Sequence, residues 1–76
     1  MAESRRVDTR GLKCPVPVVR MNGEVRDVPA GEDLHVIADD PAFPPDVKAW
    51  CRRTGHELVS LETIDGVTEA VVRIVR

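Results

Sequence analysis

A two-layer α/β (α+β) sandwich of order β-α-β-α-β-β is the fold this chain predicts, and three observations carry the prediction. Two segments repeat apolar residues at helical spacing. Between them, residues 34–38 (Leu-His-Val-Ile-Ala) are dense enough in apolar side chains for a central strand covered on much of both faces. The chain then closes with two strand-like runs around Asp65-Gly66, a two-residue hairpin signal. Parallel strands joined by right-handed crossovers put both helices on one face of the sheet.

Taken in order, residues 1–4 read as a frayed terminus. Residues 5–9 read as a short strand, with Val7 pointing one way and its charged neighbours the other. Residues 15–28 pose a conflict, because Asn22-Gly23 is a strong hairpin turn. Folded as a hairpin, however, Met21 faces Glu24, Val19 faces Arg26 and Val18 faces Asp27, so neither face becomes apolar. As a helix, Val18, Met21, Val25 and Val28 fall on one stripe. Helix is therefore expected, softened in its middle because an interior Gly23 costs about 1 kcal/mol relative to alanine.

After a turn at 29–32 and the strand at 34–38, Asp39-Asp40-Pro41 ends the strand and is able to cap a second helix. Pro44 and Pro45 disfavour helix in the residues before them, so the regular helix is expected over 45–54 with 41–44 as an irregular lead-in. Phe43, Val47, Trp50, Cys51 and Thr54 share one side of it. Gly55 is the stop, and Arg52 and Arg53 suit the last turn. The hairpin pairs residues 57–64 with 67–75. A two-residue loop sets Leu61 against Ala70 and Val59 against Val72 on one face, and Glu62 against Glu69 on the other, which must then see water.

Seventy-six residues, 42% hydrophobic and 32% charged, make one small globular domain over 1–76 rather than a disordered segment. Phe43 and Trp50 are its only aromatic residues, so Val, Leu and Ile must build the core. A net charge of −2 with no basic tail argues against nucleic acid as the primary ligand. No apolar run approaches a membrane span and no signal-peptide pattern opens the sequence. A cytoplasmic location is expected, where two cysteines are thiols rather than a bridge.

The chemistry concentrates at Arg10-Gly11-Leu12-Lys13-Cys14-Pro15-Val16-Pro17. Proline is well tolerated at the first helical position, so Pro15 reads as that position and Cys14 as the N-cap. The free N–H groups of a first turn, and the helix dipole, favour a thiolate there. Arg10 and Lys13 add positive charge of the same effect, and Gly11 permits the tight turn that feeds the strand into the helix. A reactive, exposed Cys14 is one reading; a small buried, inert thiol is the other.

The run Asp8-Thr9-Arg10-Gly11-Leu12-Lys13-Cys14-Pro15-Val16-Pro17 resembles the signature of the TusA/SirA/YedF family of small sulfur-carrier proteins. The likeness continues through Asp39-Asp40-Pro41-Ala42, Asp46, Trp50-Cys51 and Thr54-Gly55-His56-Glu57-Leu58, in order and at the expected spacing. It implies a four-stranded mixed sheet like that of the C-terminal domain of translation initiation factor 3. It also implies that Cys14 accepts a sulfane sulfur from a protein donor, a cysteine desulfurase or a rhodanese, holds it as a persulfide and passes it to an acceptor protein, in tRNA thiolation or another relay. Cys14 is then the persulfide-bearing residue, with Arg10, Gly11, Lys13, Pro15 and Pro17 in support. No cofactor, metal or membrane is called for. Asn22-Gly23 and Phe43-Pro44-Pro45 depart from the family pattern away from the reactive turn.

The remaining candidates have plainer readings. Cys51 reads as a core thiol, the sharper alternative being a resolving cysteine for Cys14 in a redox switch. Cys14, Cys51, His35 and His56 match no zinc spacing. His35 is expected on a half-covered face and His56 at the helix-to-strand corner. Asp39, Asp40 and Asp46 read as capping and solvation, and Arg52-Arg53 as a solvated helix end. The competing function is a non-catalytic redox-sensing or regulatory module; RNA binding is disfavoured by the acidic balance.

Overall fold

The computed structural model describes residues 5–75; the expected frayed terminus at 1–4 lies outside the described residues. The elements are β1 (Arg5–Asp8), α1 (Val16–Glu24) continued by a 3₁₀ turn (Val25–Asp27), β2 (Asp33–Ala38), α2 (Phe43–Thr54), β3 (Glu57–Ile64) and β4 (Val67–Arg73). The strands form one mixed sheet in the order β1-β2-β4-β3, with β1 parallel to β2 and the other pairs antiparallel. The predicted β-α-β-α-β-β sandwich is therefore the observed fold.

Strict alternation along the inner strands sets the core. Leu34, Val36 and Ala38 of β2, and Ala70 and Val72 of β4, turn toward the helices and are fully buried. Against them pack Met21 of α1 and Phe43, Val47, Trp50 and Cys51 of α2. The expected α1 stripe holds: Met21 and Val28 are buried, and Val18 and Val25 pack against the same cluster. The opposite face of β2 is half-covered, and His35 lies there, 3.8 Å from Glu69. Glu62 does meet Glu69, whose carboxylate also lies 3.6 Å from Arg6.

Three local expectations are corrected. Helix α2 starts at Phe43 rather than Pro45, with Ala42 as its cap. First-turn N–H groups have no intrahelical acceptor, so Pro44 and Pro45 sacrifice no bond there. Val59 does not meet Val72; a bulge between Leu58 and Ser60 sets Leu58 opposite Val72 and leaves Val59 exposed. The extra residue re-aims the strand end so that Leu58, rather than Val59, reaches the helices. Thr54 is exposed, its hydroxyl donating to the Trp50 carbonyl at 2.8 Å. The Gly55 stop is as expected, left-handed at φ 84° with its N–H on the Cys51 carbonyl.

The Asn22-Gly23 pair has a structural reason. The Trp50 indole N–H, buried against α1, donates to Asn22 Oδ1 at 2.7 Å. A buried indole donor needs such a partner, and Asn22 supplies it across the helix pair.

Candidate functional site

The site is a loop between β1 and α1, held by the loop that leaves β2. Strand β1 runs parallel to β2, so both strands end at the same edge of the sheet and their exit loops meet. Thr9 locks the junction: its N–H and its hydroxyl both donate to the Ile37 carbonyl, each at 2.7 Å. Gly11 follows with φ 84°, the positive value its sequence position predicts, and its N–H donates to the Asp39 carboxylate at 3.0 Å. The Cys14 N–H donates to Asp40 Oδ2, and Asp40 Oδ1 also accepts from the Ala42 N–H at 3.2 Å. These backbone bonds, the one from Cys14 first, hold the Asp40 carboxyl below its ordinary acidity range.

Cys14 is exposed, as the functional reading requires, but it is not the helix N-cap. The Val16 N–H turns back to the Lys13 carbonyl at 2.8 Å, closing a tight turn around a cis Cys14–Pro15 bond. The first helical bond runs from the Val19 N–H to the Pro15 carbonyl, which makes Pro15 the cap and places Pro17 in the first turn, buried. The thiol therefore stands one residue outside the helix, and its surroundings are anionic. Cys14 Sγ donates to Asp46 Oδ2 at 2.8 Å. That bond, then desolvation, then the charges of Asp46 and Asp40 push the thiol up from its ordinary pKa. The expected lowering by the helix end is thus reversed, because a carboxylate in hydrogen-bond contact outweighs a dipole one residue away.

The expected electrostatic support is also corrected. Arg10 turns away to Asp8, with Nη2 to Oδ2 at 2.7 Å and Nε to Oδ1 at 3.0 Å. This pair pulls Asp8 down to about 2. Lys13 acts on Asp40, lowering its pKa, rather than on the sulfur. The cation that shares a pocket with Cys14 is one read from the sequence only as part of a solvated helix end. Arg53, at the far end of α2, lines a 220 Å³ pocket with Cys14, Pro15, Val18, Asp46 and Ala49.

Asp39, Asp40 and Asp46 carry more than capping: all three hold the cysteine loop. The only sequence signal for this was their place in the family resemblance, since nothing local ties residues 39–46 to residue 14. Cys51 is 7% exposed, and burial pushes its pKa up. It lines a different cavity, with Lys48, Arg52, Gly55, His56 and Leu58, that shares no residue with the Cys14 pocket. His56 closes the corner as expected: Nδ1 accepts the Val75 N–H at 3.0 Å and the ring packs on Trp50. Among the described residues, no three His, Cys, Asp or Glu side chains gather as metal ligands, and no helix is long and apolar enough to cross a membrane.

The comparisons with known proteins agree with this geometry. Residues 5–74 match the family model of sulfurtransferase TusA. A candidate sulfur carrier protein of Neisseria meningitidis serogroup A is 40% identical over 70 residues, covering 92% of this chain and 95% of that protein. Another from Aquifex aeolicus is 38% identical over 71 residues; these are 93% of this chain but only 36% of the longer relative. The crystal structure of a SirA-like protein from Desulfitobacterium hafniense superposes with a TM-score of 0.80 at 23% identity, over 97% of this chain and all of that one, and shows the same fold. With a match spanning nearly every described residue and a cysteine loop built by the elements that match, the chain belongs to the sulfurtransferase TusA family.

Proposed function

We propose that the protein is a sulfur carrier that accepts sulfane sulfur on Cys14 as a persulfide and hands it to an acceptor protein. Donor and acceptor are both proteins in this reading, a cysteine desulfurase or a rhodanese on one side and a thiol-bearing acceptor on the other. The observation that carries it is the presentation of Cys14: an exposed thiol on a loop whose backbone is tied to Asp39 and Asp40. A sulfur relay between macromolecules needs a nucleophile both can reach and a backbone rigid enough to aim it. The relatives named as candidate sulfur carriers support the same reading. Pro15 and Pro17 stiffen the exit from the loop and Gly11 its entry, so these three act as scaffold.

Intact-mass measurement after incubation with a cysteine desulfurase and cysteine tests it. The expected result is a gain of one sulfur atom per chain, lost on reduction and absent in Cys14→Ser. A chain whose mass does not change, or Cys14→Ser still gaining sulfur, overturns the carrier in favour of the thiol-sensor reading.

A further inference from the structure

Among the described residues, Asp46 is the one side chain hydrogen-bonded to the Cys14 sulfur, which donates that bond only while it carries a proton. Cys14 Sγ donates to Asp46 Oδ2 at 2.8 Å, from an exposed loop to the first turn of α2. Helix N-termini commonly hold a carboxylate for dipole reasons alone, and Asp46 sits there with its own N–H on the Ala42 carbonyl. Its aim at the thiol is the additional fact. Four charged groups surround the sulfur: Asp46 from α2, Asp40 from the loop after β2, Arg53 from the end of α2 across the pocket, and Lys13 beside it in the chain. Arg53 makes no ion pair among the described residues, so its charge is uncommitted.

We propose that Asp46 is the hydrogen-bond acceptor that holds the proton on Cys14 and the group by which the empty carrier differs from the loaded one. This rests on the reading of Cys14 as the sulfur-bearing residue. As a protein persulfide R–S–SH approaches, the Cys14 sulfur gives up its proton and attacks the terminal sulfane sulfur. A new S–S bond forms at Cys14, the donor's RS–SH bond breaks with its electron pair left on the R-bearing sulfur, and that leaving thiolate takes up the proton. The sum is Cys14–SH + R–S–SH → Cys14–S–SH + R–SH, with no net oxidation. Once loaded, Sγ has no proton to donate; the terminal S–H, more acidic than a thiol, loses its proton to solvent, and the resulting persulfide anion faces the Asp46 carboxylate. The hydrogen bond that held the thiol is replaced by repulsion, which turns the terminal sulfur toward the open mouth of the pocket and Arg53. The empty state is thereby held in place and kept from premature reaction, while the loaded state is pushed outward.

The test is the pH dependence of Cys14 alkylation by iodoacetamide, followed by mass in the wild-type chain, Asp46→Asn and Asp46→Glu, with discharge of the loaded sulfur to a small thiol as a second readout. Wild-type Cys14 is expected to titrate above the ordinary thiol value of about 8.5. Asp46→Asn shifts the profile to lower pH and speeds alkylation at neutral pH severalfold, because the charge and hydrogen bond that favour the protonated thiol are removed. It also slows discharge severalfold, and Asp46→Glu restores the wild-type profile. An Asp46→Asn profile that is unchanged or moved upward, or discharge as fast as wild type, overturns the proposal. Wild-type Cys14 titrating below 8.5 overturns it without any variant. Alkylation needs no sulfur donor, so these results remain readable even if the chain never gains sulfur.

Discussion

Cys14 and Cys51 are the same side chain in two settings, and the structure raises the pKa of both. Their causes differ. Cys14 is exposed and held by a carboxylate, so charge and a hydrogen bond favour its protonated form. Cys51 is buried on the inner face of α2 among Val47, Trp50 and the sheet, and desolvation alone favours its protonated form. Acidity therefore does not separate the two thiols; access does. A buried sulfur stays protonated because there is no water for its anion. The exposed one is held protonated by the carboxylate beside it.

The hardest test of that contrast is thiol counting. In the native protein one thiol per chain is expected to react with a small disulfide reagent, and the second only after denaturation; digestion and mass analysis identify the first as Cys14. Two fast thiols, or a Cys14–Cys51 disulfide on mild oxidation, would break the distinction and revive the redox switch. A smaller effect is expected at Asn22, which secures the helix that carries Cys51. Asn22→Ala leaves the Trp50 indole N–H without its partner and should lower stability by about 1–3 kcal/mol in urea unfolding. Cys51 should then label faster through local opening, with Cys14 unaffected. The smallest effect is expected at Arg10. Because its guanidinium is committed to Asp8, Arg10→Ala should leave the alkylation rate of Cys14 within about twofold of wild type. A marked slowing would show that the arginine reaches the sulfur after all.

Much of this molecule was legible in its residue pattern. The stripe of Val18, Met21, Val25 and Val28 decided for helix over the Asn22-Gly23 hairpin, because local turn chemistry yields when neither hairpin face becomes apolar. Asp65-Gly66 fixed the terminal turn, where both residues take positive φ, and with it the pairing of Leu61 with Ala70. That a turn leads into α1 at Cys14 was legible too, from glycine and proline placement, but the exposure of the thiol and its place one residue outside the helix were not. The bulge at Leu58–Ser60 was not, since one extra residue leaves no mark on a period-two pattern. Nor was the early start of α2, since proline's bias against helix in the residue before it is real, yet here the first turn absorbs it.

What the sequence determined by itself is whatever short-range periodicity and backbone chemistry decide: the order of the elements, the two-layer packing, the left-handed glycines and the turn that carries Cys14. What the tertiary structure decided is the electrostatic character of that sulfur. Adjacent Arg10 and Lys13 predicted an acidic thiol. The parallel pairing of β1 with β2 instead brings Asp39 and Asp40 under the loop and Asp46 against the sulfur, 32 residues away along the chain. Coulomb energy depends on distance in space rather than separation in sequence, so only the fold selects which charges a thiol meets.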